Sequence, residues 1–504
     1  MDPYLGEGWW LDFHDVSKPC AGGLDCNLPD PTVLAKENGA TDGTPFFVGP
    51  DGRADSRVNR FWRDPTVRGL SMETKRRYAF SLKVWLNFLT AIGVNWDRAD
   101  AATLASFKEW RMSAVEADAN VSATAFRVDL AALRRFYDWA SMTCSGVTNP
   151  IRFRRTRLTV NGDREARMEA APSGVRRSDV KWLTPSAFRQ WRDIGLRGFT
   201  VDGLPSPSWS GRVEDRNVAF VDGLFGTGLR CGEWSSVLTI EIPEIAAQPR
   251  LQRTWLADAC AKRGAGRLYW LPRRVGQAVQ FYVREGSRAE VVVRAQREQR
   301  YGPAHDLLIV ENATDRGVLT VRVNGRTRRM DINALTPRIR MRLYRETDAG
   351  LEPLWLWLNH DGLPRPKAAW NRTFTVANDR VSRLLSRETH RAPSLWARPH
   401  MLRHSFALRW YSIATFVAWQ RTAGLTAAEQ RDFRNQLGDV WFLLATLLGH
   451  RSAETTRNVY LEPFQSLQIA NLVAALEPED RAALERLVDV VGDEHSRVFS
   501  AVAP

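Results

Sequence analysis

Apolar positions recur at helical spacing through residues 55–150. Tyr78, Leu82, Trp85, Leu86 and Leu89 share one face of a helix predicted from Ser71, a capping residue, to Gly93, a terminator. A second helix is predicted over Leu104–Val115. A third runs from Ser122 to about Met142, with Phe126, Leu130, Leu133 and Tyr137 inward and Asn149-Pro150 closing it. Residues 1–54 are rich in Gly, Pro and Asp, lack a period, and read as an irregular arm. Residues 151–181 are basic and poor in apolar residues, which reads as a linker. A second domain opens at Trp182, with Thr184-Pro185 as a helix start. Its helices run to about Val237, and the period then shortens: segments from Trp255 to Pro272 flank the hairpin-like AKRGAGR. Strand-like pieces fill residues 287–350, including LLIVEN and GVLTVRV followed by an Asn324-Gly325 turn. From Pro366 to Ala475 the pattern is helical again, and residues 476–504 form a tail with one short amphipathic helix. The fold class expected is mainly α with a small β-sheet.

The 504 residues suffice for two or three domains. A net charge of +14 favours a polyanionic partner, nucleic acid before an acidic membrane. Only eight residues are lysine, so nearly all the positive charge is arginine. The five scattered cysteines include no CxxC pair, which suits a reducing compartment and no zinc ribbon. No basic-then-apolar leader is evident, and no run of about 18 uncharged apolar residues occurs. A cytoplasmic protein without a membrane partner is the expectation.

The stretch RPHMLRHSFALRWY places His400, Arg403 and His404 one turn apart, beside an apolar face of Leu402, Phe406 and Trp410. Two histidines four apart suit zinc, but a zinc hydrolase needs Glu where Met401 stands, and no acidic third ligand is near. GTGLRCGE lacks the GK[ST] ending of a phosphate-binding loop. Neither a metal nor a cofactor is therefore expected.

Taken in order, LFGTGLRCGEW with Arg230, the hairpin with Lys262, His400-x-x-Arg403, and LLGHRSAETTRNVY with His450 and Tyr460 resemble the tyrosine recombinases, the phage integrase family. The resemblance spans roughly residues 55–470 and omits the arm and residues 287–350. It implies a two-domain clamp: a helical core-binding domain at 55–150 and a catalytic domain at 182–475, with an insertion at about 287–350. Tyr460 would be the nucleophile, forming a 3′-phosphotyrosine. Arg230 and Arg403 would hold the phosphoryl oxygens, a role that guanidinium geometry suits. Lys262 would be the general acid, since lysine gives up a proton far more readily than arginine. The arginine-rich hairpin NGRTRRMDIN, with Arg326, Arg328 and Arg329, ranks behind it for want of a lysine. His400 and His450 would bond the phosphate or manage the tyrosine proton, with Glu233 and His404 supporting from behind.

The resemblance further implies double-stranded DNA as partner and a tetramer on two paired sites, and it leaves room for accessory DNA-bending proteins. In the linker, Arg152, Arg154, Arg155, Arg157, Arg176, Arg177 and Lys181 are the candidates to lie along phosphates. Tyr460 stands ten residues after His450, where the family usually places it nine residues after that histidine. Two rivals stand beside this reading: a catalytically silent DNA-binding or accessory protein, and a type IB topoisomerase-like enzyme.

Overall fold

The computed structural model describes residues 8–15, 37–113, 120–155, 166–172, 180–245, 250–301, 307–323, 325–389, 395–422, 426, 429, 440–450, 452–457 and 459. Tyr460, Arg157, Arg176, Arg177 and the tail at 476–504 lie outside them. The chain divides into two compact units, Met1–Arg177 and Ser178–Pro504. Helices dominate, with small sheets in both units.

In the N-terminal unit, β1 (Trp10–Phe13) pairs antiparallel with β2 (Pro45–Val48), and Phe47 is fully buried. The arm is thus partly ordered, against the irregular reading. Two short helices, α1 (Ser56–Phe61) and α2 (Pro65–Arg68), lead to α3 (Met72–Ala91), α4 (Ala101–Ser113) and α5 (Ala123–Thr143). Ser71 and Ser122 cap α3 and α5, their hydroxyls accepting from the Thr74 and Ala125 amides. Leu82, Trp85, Leu86, Leu89, Phe126, Leu130, Leu133 and Tyr137 form the core, as their spacing predicts, while Tyr78 packs at its edge. Buried polar groups fix the helices to each other: Trp85 Nε1 donates to Tyr137 Oη at 2.9 Å, and Ser81 Oγ to Asp129 Oδ1 at 2.6 Å. The expected linker also departs from its reading. β3 (Phe153–Arg155) and β4 (Ala166–Met168) form an antiparallel pair, and Met168, Ala170 and Ala171 pack on this core.

The C-terminal unit opens with α6 (Pro185–Arg197), capped by Thr184, then α7 (Glu214–Thr227) and the short α8 (Cys231–Ser235). Strands β5 (Leu251–Leu256) and β6 (Arg267–Pro272) pair antiparallel. The segment between them folds as two 3-10 turns, Asp258–Cys260 and Lys262–Gly264, and is not a tight hairpin. Helices α9 (Arg273–Arg284) and α10 (Ser287–Arg297) follow. The expected insertion therefore starts as helix. It continues as a five-stranded sheet of β7 (Leu308–Ala313), β8 (Val318–Val323), β9 (Arg326–Asp331), β10 (Leu343–Thr347) and β11 (Gly350–Pro353), in the order β11-β10-β7-β8-β9. Only β10 and β7 run parallel; short α11 (Pro337–Arg340) precedes β10. Among the described residues, three helices follow, α12 (Ala369–Thr389), α13 (Pro399–Thr422) and α14 (Val440–Leu448), and residues 453–457 are helical.

Aromatic packing under α8 fixes where its ends point. Trp234 Nε1 donates to Phe220 O at 3.1 Å, and Trp357 Nε1 to Trp234 O at 2.9 Å. Fully burying side chains of this size is worth about 2–3 kcal/mol each. A second cluster joins α13 to α14 through Phe406, Leu408, Tyr411, Leu444 and Leu448.

Candidate active site

Four separate segments supply the predicted site. Arg230 is the N-cap of α8, set by the turn that ends α7. At that turn Gly228 is left-handed (φ 67°), and a Cβ there would collide with the Phe406 ring. Only glycine relieves both constraints. Glu233 closes the first turn of α8: its Oε2 accepts from the Arg230 amide at 2.9 Å, and its Oε1 from Arg230 Nη1 at 2.8 Å. Arg267, at the start of β6, grips the same carboxylate with Nη2 at 2.7 Å and Nη1 at 3.3 Å. Glu233 is only 2% exposed. Burial pushes its pKa up, but the Arg267 hydrogen bonds and charge, with that of Arg230, outweigh this and hold it at about 2.

Arg403 and His404 lie on the buried side of the first turns of α13. Arg403 is 1% exposed. Its Nη1 donates to Gly228 O and its Nη2 to Leu448 O, and Nη2 also lies 3.3 Å from His450 Nε2. The guanidinium therefore ties the Arg230 turn and the end of α14 to α13. His450 Nδ1 lies 2.9 Å from Thr456 Oγ1, and that hydroxyl donates to Ser452 O at 3.4 Å. Since arginine can only donate, His450 Nε2 accepts from it. Nδ1 then carries the proton and gives it to Thr456. Thr456 is fully buried, so this tautomer is built in.

His400 is exposed, with its ring centroid 4.3 Å from that of His404. Desolvation, then Arg403, Arg230 and Lys262, lower its pKa to about 4. Because His400 is exposed, the cations carry the argument there. Burial, then His400, Arg403 and His450, lower His404 to about 3. Burial, then Arg403, Arg230, Arg267 and His400, lower His450 to about 4. At neutral pH all three rings are neutral. The local charges are Arg230, Arg267, Arg403 and Lys262 against Glu233, an environment that receives an anion. Lys262 is exposed on its loop, near enough for its charge to act on His400.

The structure thus gathers Arg230, Glu233, His400, Arg403, His404 and His450, with Lys262 beside them. Sequence reasoning missed Arg267 and Thr456. Arg267 is one more arginine in an arginine-rich chain, though it follows Lys262 by five residues, on the next strand. Thr456 stood inside a quoted motif without a role. A second lysine, Lys367, borders α8: its Cδ lies 3.3 Å from where a Cβ on Gly232 would stand. In the basic segment, Arg152 and Arg154 are exposed, the side chain of Arg155 lies outside the description, and Lys181 is half-buried with its ammonium 5.6 Å from the Trp396 ring centre. Among the described residues no cluster of three or more His, Cys, Asp or Glu could hold a metal, and no helix is long and apolar enough to cross a membrane.

Residues 58–142 match the family model described as phage integrase, N-terminal SAM-like domain. The N-terminal unit carries a phage integrase SAM-like domain. The match covers α3, α4 and nearly all of α5, so the resemblance read from motifs of the C-terminal unit is joined by an independent one in the SAM-like domain. No curated protein matches the chain. Among solved structures, the chain is similar to the XerH site-specific recombinase bound to difH substrate in a pre-cleavage complex (12% identity, 81% of each chain covered, TM-score 0.38). It is also similar to the Tn1549 transposon integrase in complex with transposon right end DNA (13% identity, 80% of this chain and 94% of that one, TM-score 0.40). The corresponding figures for XerA recombinase are 15% identity, 80% and 91% coverage, and a TM-score of 0.26.

Proposed function

We propose that this chain is a site-specific DNA recombinase that cuts and rejoins DNA through a 3′-phosphotyrosine. The observation that carries the reading is the convergence of Arg230, Arg403 and His450, from segments far apart in sequence, on one cationic cluster beside the Lys262 loop. A SAM-like domain of the phage integrase type in the N-terminal unit supports it.

In this mechanism Tyr460 Oη attacks a backbone phosphorus, forming the Tyr–O–P bond as the P–O5′ bond breaks. The Lys262 ammonium supplies the proton that the departing 5′ oxygen needs. Arg230, with Arg267 and Glu233 fixing its direction, neutralises the non-bridging oxygens, and Arg403 adds its charge from beneath. His450, neutral and with no hydrogen on Nε2, takes the phenol proton there, and His400 completes the hydrogen bonding around the phosphate. Attack by a 5′ hydroxyl on the phosphotyrosine reverses the step, and the ester bond is conserved without ATP. Double-stranded DNA is the substrate, and pairs of protomers act on two sites as a tetramer.

A nicked suicide duplex, which loses its 5′ fragment after cleavage, tests this. The expected product is a denaturation-resistant protein–DNA adduct that disappears in Tyr460→Phe. DNA binding with no adduct from the unmodified chain supports the silent accessory protein instead. Relaxation of supercoils at any sequence supports the topoisomerase-like enzyme.

A further inference from the structure

The inserted sheet ends in a strand of unusual composition. β9 is an edge strand, and Arg326, Thr327, Arg328 and Arg329 are all exposed on it. In the β8–β9 register Arg326 faces Val323, Arg328 faces Val321 and Arg329 faces Thr320. Arg326 and Arg328 therefore project from one face and Arg329 from the other. None of the three has a hydrogen-bond or ion-pair partner among the described residues. Nearby arginines do: half-buried Arg322 pairs with Glu311 and Glu346, and exposed Arg345 with Glu352. The sheet neutralises its other cations and leaves the edge strand uncompensated.

This strand is also anchored beside the candidate active site. Its C-terminal end runs into a 3-10 turn, Ile332–Ala334, that packs on the turn Asp258–Cys260. Trp255 Nε1 donates to Asn333 Oδ1 at 2.7 Å, and Cys260 Sγ lies 3.8 Å from Leu335 O. Buried Arg340 locks the junction. Its Nε donates to Leu335 O at 3.0 Å and its Nη2 to Ile332 O at 2.9 Å, while Nη1 reaches Glu241 Oε2 at 2.7 Å and Ser236 O at 3.2 Å, just past α8. Six residues of strand span about 20 Å. β9 is therefore a rail of about that length running outward from a point two residues short of Lys262.

The geometry points to β9 as a DNA-contacting edge, on which Arg326, Arg328 and Arg329 engage phosphates of the duplex flanking the cleavage position. The inference rests on the recombinase reading for the location of the DNA. Unpaired guanidinium groups suit phosphates, and arginines along the edge keep a second strand from pairing there.

The test uses the full chain, a random-sequence DNA duplex, and the salt dependence of binding. Three lost phosphate contacts make the slope of log K against log salt shallower by about 2.7, at ~0.9 per contact. Arg326→Gln/Arg328→Gln/Arg329→Gln is expected to show that change in slope. The control, Arg284→Gln/Arg300→Gln/Arg345→Gln, removes as many positive charges from sites already paired with Glu244, Glu298 and Glu352. It is expected to leave the slope unchanged. An unchanged slope in the β9 variant overturns the inference and leaves edge protection as the arginines' role. Equal loss in both variants overturns it in favour of a general charge effect. A chain that binds no duplex at all overturns the recombinase reading as well.

Discussion

Replacing Glu233 with Gln should unmask the charge balance that holds Arg230 in place. Glutamine has the shape of a protonated glutamate but leaves Arg230 and Arg267 facing an uncharged amide. The carboxyl pKa lies at about 2 against an ordinary 4.5, a difference of about 2.5. At ~1.4 kcal/mol per pKa unit this corresponds to about 3.5 kcal/mol, near the low end of the ~3–5 kcal/mol typical of breaking one partner from a buried pair. The sign follows from the direction of the shift. A lowered carboxylate pKa contributes stability that is complete above the unfolded value near 4.5 and is lost as pH falls towards about 2. Glu233→Gln should therefore cost about 3.5 kcal/mol at pH 7, and the deficit should shrink steadily below pH ~4.5, where the unfolded chain's glutamate takes up a proton that the native carboxylate does not accept until about pH 2. Urea unfolding followed by hydrogen exchange in peptides from α7 and α8 reads the C-terminal unit separately. A deficit under about 1 kcal/mol at neutral pH, or one that stays constant through the acid range, would refute this account of Glu233.

Two further substitutions test the parts around it. Thr456→Val keeps the shape but takes away the acceptor for His450 Nδ1. The stranded donor costs about 1–3 kcal/mol, and single-turnover adduct formation should slow on the order of tenfold or more as the ring loses its tautomer; an unchanged rate would remove Thr456 from the mechanism. Gly228→Ala forces a side chain into the Phe406 ring at a left-handed residue, and thermal denaturation should show a loss of about 1–3 kcal/mol. The part of that loss due to the ring should return in the double variant with Phe406→Leu, while the left-handed strain remains; simple additivity would argue against the contact.

Helices with local signals were readable from the chain alone. Ser71, Ser122 and Thr184 cap where their side chains predict, because an N-cap depends on three or four neighbouring residues. Long-range pairing left no such trace. β1 and β2 are four residues each, and the long segment between them holds several turn signals, Gly22-Gly23, Asn38-Gly39 and Asp42-Gly43 among them, so none marks which segments pair. The helix Ser287–Arg297 carries Val291, Val292 and Val293, whose branched side chains favour strand, yet burial of Val291, Val292 and Ala295 on one face decided for helix. The candidate site was legible where motifs name residue types. It was illegible where the work falls to a residue common in this chain, such as Arg267, or to one defined only by what it touches, such as Thr456.

Arg403 bridges carbonyls that lie 175 residues before it and 45 residues after it. During synthesis at ~5–20 residues per second, about 10–45 seconds pass between the emergence of Gly228 and that of Leu448. A nascent or prematurely terminated chain therefore cannot close this cluster, however well its earlier helices have folded. Whatever cutting ability the protein possesses is withheld until Leu448 has left the ribosome.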